Sequence, residues 1–248
     1  MFLRCAWYMS TVATLSYKCK EIIKAAMLKS CDSLDGLAYK LHDFGSRGAT
    51  SKESSILGGL AHLVNFCGTD TINAVPAGAR WYNATDPTKI IGSTIPAAEH
   101  GTITSWGREG EVDAYRNMLK QFLGPNKAVA VVSDAYDLFN AIENIWGDLL
   151  KDEIVSSGGV LVIRPDSGDP ATIVCQSLDI LGERFGFTVN SKGYRVLPEY
   201  IRLIQGDGIS YETIGEIIDA ILKAGWSIDN VSFGMGGGLL QDVCRDDI

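Results

Sequence analysis

The stretch AVAVVSD (128–134) sets five small or β-branched apolar residues in a row and then turns polar at Ser133 and Asp134. VLVI (160–163) repeats the pattern and ends in Arg164-Pro165-Asp166-Ser167-Gly168. Between them Leu138, Ile142, Ile145 and Leu149 recur at helical spacing within Tyr136–Ile154. A continuous apolar run is what a strand buried on both faces requires, as in a parallel sheet covered by helices. The strand–helix–strand unit therefore predicts parallel strands joined by right-handed crossovers.

Working outward, the same alternation covers the chain. On the N-terminal side, Tyr17–Leu28 carries a helical stripe and Leu37–Leu41 reads as a short strand. Thr50-Ser-Lys-Glu53 reads as a capping box opening a helix to His62. Leu63–Cys67 reads as a strand, Thr69–Trp81 as a helix, Ile90–Thr94 as a strand and Gly110–Leu123 as an amphipathic helix. On the C-terminal side, Pro170–Phe185 is a helix with proline in its first turn. Tyr200–Gln205 is a strand, Ser210–Ala224 a helix and Val231–Phe233 a strand. No linker or repeat divides the sequence, so residues 1–248 are expected to form a single α/β domain with 1–35 as a leading helical segment.

Polar clusters fall at the C-terminal end of nearly every expected strand. They are His42-Asp43-Phe44-Gly45 with Arg47, Gly68-Thr69-Asp70, Glu99-His100, Asp134, Arg164–Gly168, Gly206-Asp207-Gly208 and Gly234–Gly238. In a parallel (β/α) barrel these ends share one rim, where active sites are built. An open doubly wound sheet would gather only a few of them. Seven clusters favour a barrel, incomplete or irregular in form, with Asp43, Asp70, Asp134, Asp166 and Asp207 converging. Carboxylates so placed repel unless cations offset them. Arg47 and Arg164 supply some positive charge, and Mg²⁺ bound through phosphate oxygens would supply more. The glycine run 234–238 leads into Leu239-Leu240 and offers bare backbone N–H groups of the kind that cradle phosphate. Spacing alone thus points to a barrel enzyme acting on a phosphorylated substrate.

Bland readings compete at several positions. An aspartate after a strand is often a helix N-cap. Gly206 and Gly208 equally suit a tight turn. His62 ends an apolar helix and reads as a satisfied core residue. His42 reads as well for a structural hydrogen bond beside Asp43 as for function, whereas His100 on the rim reads as functional.

Composition bounds the rest. Lys plus Arg is 22 against 30 Asp plus Glu, a formal charge of −8, which excludes a general nucleic-acid binder. The six cysteines form no C-x-x-C pair and no zinc spacing, and read as reduced thiols of a cytoplasmic protein. MFLRCAWYMSTVATLSYK (1–18) lacks the clean apolar core of a signal peptide, and no run of apolar residues is long enough to span a membrane.

The stretches YKLHDFGSRG (39–48), HLVNFCGTDT (62–71), IPAAEHGTIT (95–104), VVSDAYD (131–137), VIRPDSGDP (162–170), NSKGYRVLPEYIRLIQGDG (190–208) and WSIDNVSFGMGGGLLQ (226–241) together resemble the nicotinamide phosphoribosyltransferases, in that family's order. The resemblance implies transfer of the ribose of phosphoribosyl pyrophosphate to nicotinamide, giving nicotinamide mononucleotide and pyrophosphate. It implies that Phe44 stacks on the base, that Asp70 accepts from its carboxamide, and that Arg164 and Asp166 line base and ribose. Gly206, Asp207 and Gly237 would hold ribose and phosphate, with Gly236 beside them, and Arg47 would meet pyrophosphate. His100 matches a histidine phosphorylated from ATP, oriented by Asp134, and Arg245 matches a phosphate-contacting arginine. Mg²⁺ and ATP are the implied cofactors, and a homodimer with shared active sites the implied assembly.

Departures accompany the resemblance. Ser46 stands where an aromatic is usual. The family's additional domain, the aromatic that a partner subunit contributes and the basic residues after Arg245 are expected to be absent. Two other readings stay open: a nicotinate phosphoribosyltransferase, and a silent fragment that only binds ligand or pairs with a partner subunit.

Overall fold

A computed structural model describes residues 2–82 and 91–244. The chain opens with helix α1 (Phe2–Ser30), strand β1 (Leu41–Asp43), α2 (Lys52–His62), β2 (Gly68–Thr69) and α3 (Ala74–Trp81). It continues through α4 (His100–Thr104), α5 (Glu111–Phe122), β3 (Ala128–Val132), α6 (Leu138–Asn140), a π-helix (Ala141–Leu149) and α7 (Lys151–Ser156). Then come β4 (Val160–Arg164), α8 (Pro170–Phe185), β5 (Thr188–Val189), β6 (Arg195–Val196), β7 (Ile201–Gln205), α9 (Tyr211–Lys223), β8 (Val231–Met235) and α10 (Gly237–Leu240).

Six strands form one all-parallel sheet in the order β2-β1-β8-β7-β4-β3. The first strand pairs with the last, Leu41 opposite Phe233, which brings the two ends of the chain together. The sheet is curled into an open half-barrel rather than closed as a full eight-stranded barrel, in line with the expectation of an incomplete barrel. Among the described residues, isolated parallel bridges, Gly68 to Ser93 and Ala97 to Ala130, extend beyond its two edges. The expected strand Ile90–Thr94 thus contributes one bridge, and its first residue lies outside the described residues.

Local chemistry explains the elements. Asp169 accepts from the Thr172 N–H, so α8 starts on a side-chain cap with Pro170 in its first turn. Ser210 and Thr213 form a reciprocal capping box on α9. The cap of α2 is Ser51, bonded to the Ser54 N–H, one residue later than Thr50. The expected strand at Leu37–Leu41 begins as a 3₁₀ turn (Leu37–Tyr39), and β1 starts only at Leu41. Leu63–Cys67 is not a strand: Phe66 turns inward and stacks on His62. The ladder passes to Gly68–Thr69 instead, and α3 starts only at Ala74.

Tyr136–Ile154 is helical in three pieces. Its wide π turn requires glycine at 147: a Cβ there would come 2.8 Å from the Ile142 carbonyl and 2.7 Å from Arg184. The core lies between sheet and helices, with Trp146, Trp226, Tyr115 and Phe233 fully buried. Beneath β1, buried Lys40 donates to the carbonyls of Ile228, Asp229 and Val231, and burial lowers its pKa to about 8.

Candidate active site

Every strand of the sheet delivers its C-terminal residues to one side, as parallel topology requires. There a cavity of about 840 Å³ opens. Phe44, Arg47, Asp70, Arg164, Asp166, Gly206, Asp207, Gly236 and Gly237 all line it, joined by Glu99 and Asp242. Arg245 lies outside the described residues.

The floor is aromatic. Phe44 follows β1, and its N–H donates to the Met235 carbonyl of β8 at 2.9 Å. Its ring lies over Gly206 and Gly234: a Cβ at Gly234 would come 2.0 Å from the ring, and one at Gly206 3.0 Å. Two glycines therefore make the space the ring occupies.

Asp70 stands at the end of β2. Its Oδ1 accepts from His42 Nε2 at 2.8 Å and from Thr94 Oγ1 at 2.6 Å. Burial works to raise the Asp70 pKa, but the His42 and Thr94 hydrogen bonds and the nearby charges outweigh it and hold it below the ordinary value. Asp70 is therefore an ionised acceptor at neutral pH.

Arg164 ends β4 with its side chain only 7% exposed. Its Nη2 lies 3.4 Å from Glu99 and 3.7 Å from Asp166. Arg47 is exposed and lies 3.6 Å from the same Glu99. Asp166 is pushed the other way from Asp70. Burial raises its pKa, helped by Asp134 and Asp207, and prevails over Arg164 and His100.

His100 opens α4 just beyond the cavity wall. Its Nε2 is 3.0 Å from Asp134 Oδ1 and its Nδ1 is 3.8 Å from Asp166 Oδ2. Asp134 Oδ2 in turn accepts from the Asp166 N–H and from Ser167 Oγ. Asp134 is held in place by the strand end itself, where the Ser133 N–H bonds to the Arg164 carbonyl and Ser133 Oγ accepts from Trp146. The imidazole is thus oriented by a carboxylate that is itself fixed twice.

One expectation changes. Asp43 does not join the cluster: it is fully buried and accepts from the Gly45 N–H and Thr69 Oγ1. His42, which reads as well for a structural hydrogen bond as for function, bonds to Asp70. The glycine run does lead into a helix, α10, but one of only four residues. His62 is the core residue expected, between Ser16 Oγ and the Gly68 carbonyl.

A family model for the nicotinate phosphoribosyltransferase (NAPRTase) family matches residues 39–248. The chain belongs to the nicotinate phosphoribosyltransferase family. Among its relatives, the nicotinamide phosphoribosyltransferase of Xanthomonas campestris pv. campestris is 54% identical over 97% of the chain. That of Mycoplasma pneumoniae is 32% identical over 97%. The chain spans about half the length of these curated relatives, 50% and 52%. Solved nicotinate phosphoribosyltransferases share the fold. That of Porphyromonas gingivalis has a TM-score of 0.57 at 17% identity, over 98% of this chain and 54% of its own. That of Vibrio cholerae has a TM-score of 0.52 at 15% identity, over 94% and 48%.

For a member of this phosphoribosyltransferase family, sequence reasoning missed four supporting side chains. Thr94 and Ser167 brace Asp70 and Asp134 across different strands, a register no single stretch reveals. Glu99 was visible beside His100, but its place between Arg47 and Arg164 was not. Gln241 donates to the Gly45 carbonyl and ties α10 to the turn after β1.

Proposed function

We propose that this chain carries the catalytic barrel portion of a nicotinamide phosphoribosyltransferase, joining nicotinamide to the ribose of phosphoribosyl pyrophosphate with release of pyrophosphate. The observation that carries the reading is an ionised Asp70 beside the Phe44 ring on the cavity wall. A flat aromatic amide fits that pair: the ring stacks on Phe44 and the amide NH₂ donates to the carboxylate. A nicotinate carboxylate would be repelled there. Arg164 does not rescue it, because Glu99 and Asp166 already neutralise its charge.

In the reaction the base nitrogen attacks the anomeric carbon as pyrophosphate departs, and the ribose passes through an oxocarbenium-like state. Asp166 and Asp207, at the ends of β4 and β7, are disposed to hold ribose hydroxyls and stabilise that positive charge. Arg47 would meet the departing diphosphate. Five carboxylates and two guanidinium groups line the cavity, so a bare diphosphate would be repelled. Among the described residues no group of three carboxylate, histidine or cysteine side chains is placed to hold a metal ion. Mg²⁺ would enter on the phosphate oxygens and offset that repulsion. His100, oriented by Asp134, is the acceptor for a phosphoryl group from ATP.

The same reading takes the curled sheet as a barrel portion of a single domain working in the cytoplasm as a homodimer with shared active sites. No helix among the described residues is long and apolar enough to cross a membrane. The test is calorimetric titration of the chain with nicotinamide and with nicotinate. Preference for nicotinamide supports the reading, and equal binding of the two bases removes it.

A further inference from the structure

We infer that His42 is a specificity-positioning residue: it locks the Asp70 carboxylate and the Phe44 ring into one rigid receptor for a neutral aromatic amide. This rests on the reading of Phe44 and Asp70 as the base-binding pair.

The register of two strands builds the arrangement. His42 of β1 lies directly opposite Gly68 of β2. Residues two apart on a strand share a face, so His42 shares its face with Phe44, and Gly68 shares its face with Asp70. Gly68 has no side chain, and a Cβ there would come 2.8 Å from His42 Nδ1 and 3.3 Å from His42 Cα. The imidazole therefore crosses the bare glycine and reaches Asp70 one step further along, Nε2 to Oδ1 at 2.8 Å. Its other side packs against the Phe44 ring, centroids 5.1 Å apart and planes at 52°. The His42 side chain is 14% exposed, so its rotamers are few.

Asp70 is held from three directions. Its N–H donates to the Asp43 carbonyl of β1. Its Oδ1 accepts from both His42 and Thr94, the latter in the segment beyond the sheet edge. Its Oδ2 takes no hydrogen bond among the described residues. Two donors on one oxygen fix the carboxylate rotation and leave the other oxygen as the acceptor for a ligand. Without His42 the carboxylate can rotate, and the Phe44 ring loses its neighbour. Discrimination between two bases that differ only in amide against carboxylate depends on that fixed geometry.

The test compares the full chain with His42→Ala, His42→Leu, His42→Gln and Thr94→Val, titrating nicotinamide and nicotinate separately and checking each fold by circular dichroism. Nicotinamide preference should fall about 10-fold in His42→Ala, the usual cost of losing a charge-assisted hydrogen bond. His42→Gln should recover most of it, because its amide nitrogen sits near the Nε2 position. Thr94→Val, nearly isosteric and outside the sheet, should give a smaller loss. Wild-type preference retained in a folded His42→Ala, or in a folded His42→Leu where the smaller side chain does not fold, overturns the inference. Absence of any preference in the unaltered chain overturns the reading of Asp70 itself, a separate failure seen before any variant is made.

Discussion

His100 Nε2 sits 3.0 Å from Asp134 Oδ1, an exposed imidazole on a buried carboxylate: the two side chains are 42% and 4% exposed. One partner is open to solvent while the other is fixed from behind by the Asp166 N–H and Ser167 Oγ. That division suits a group that must accept a phosphoryl group in one orientation. Asp134→Asn keeps the shape but loses the charge and presents an amide. Incubation with ATP and Mg²⁺ should give acid-labile phosphate on the unaltered chain and none on His100→Ala. Asp134→Asn should label at least about 10²-fold more slowly, by analogy with other His–Asp pairs. Phosphate incorporated equally into His100→Ala would place the acceptor elsewhere.

Substrate choice should follow the charge at residue 70. Asp70→Ser keeps a polar side chain but removes the negative charge and the acceptor pair with His42 and Thr94. Nicotinamide binding should weaken by about 10- to 100-fold, and nicotinate binding should stay level or improve. Isothermal titration of both bases reads this directly. A parallel loss for the two bases would mean that Asp70 supports the fold rather than the choice of base.

Much of this arrangement was legible in one dimension. AVAVVSD and VLVIRPDSG announced buried parallel strands because no polar residue interrupts their apolar runs, and Arg164 and Asp166 after the second do line the cavity. α8 was legible to the residue because Asp169 and Pro170 mark its start. The short strands were not. β1 and β2 have three and two residues, too few to show a period, so hydrophobicity placed them in the turns just before. Asp43 looked like its neighbours on the rim, and only the pleat decides that it points into the core while His42 and Phe44 point out. The His42–Asp70 pair depends on register across β1 and β2, which no local pattern encodes.

Gly234 should be intolerant of any side chain. Its missing Cβ would lie 2.0 Å from the Phe44 ring, while Gly234 itself lies within β8 at the sheet centre. Gly234→Ala must therefore move the ring, since the strand cannot shift without breaking its ladder with β1 and β7. Nicotinamide affinity should fall at least about 10-fold, and stability by about 1–3 kcal/mol, the range for overpacking. Pairing Gly234→Ala with Phe44→Leu should restore much of the stability but not the affinity. Full affinity in Gly234→Ala would show that the ring has room elsewhere and does not stack on the base where it now lies.

Asp166 is expected to cost the protein stability at neutral pH. Burial, with Asp134 and Asp207 nearby, holds its pKa above the ordinary 3.8 despite Arg164 and His100. The folded chain then binds more protons than the unfolded chain between 3.8 and the raised value. Stability must fall as pH rises through that window, and the cost is complete above it. Asp166→Asn removes the titration. The variant should therefore melt higher than the unaltered chain at pH 7, by roughly 1–3 °C for a chain of this size. That gain should shrink as pH falls through that window, because the folded carboxyl takes up its proton first, and it vanishes only below the ordinary 3.8, where the carboxyl is protonated in both states. On the proposed function activity should move the other way, because that reading gives the same carboxylate the stabilisation of the ribose cation, a trade seen where sites hold strained charge. Melting curves by differential scanning calorimetry from pH 4 to 8 check the sign. A variant less stable at pH 7 would mean that the ion pair with Arg164 outweighs burial, and that Asp166 is held by its partner rather than against its surroundings.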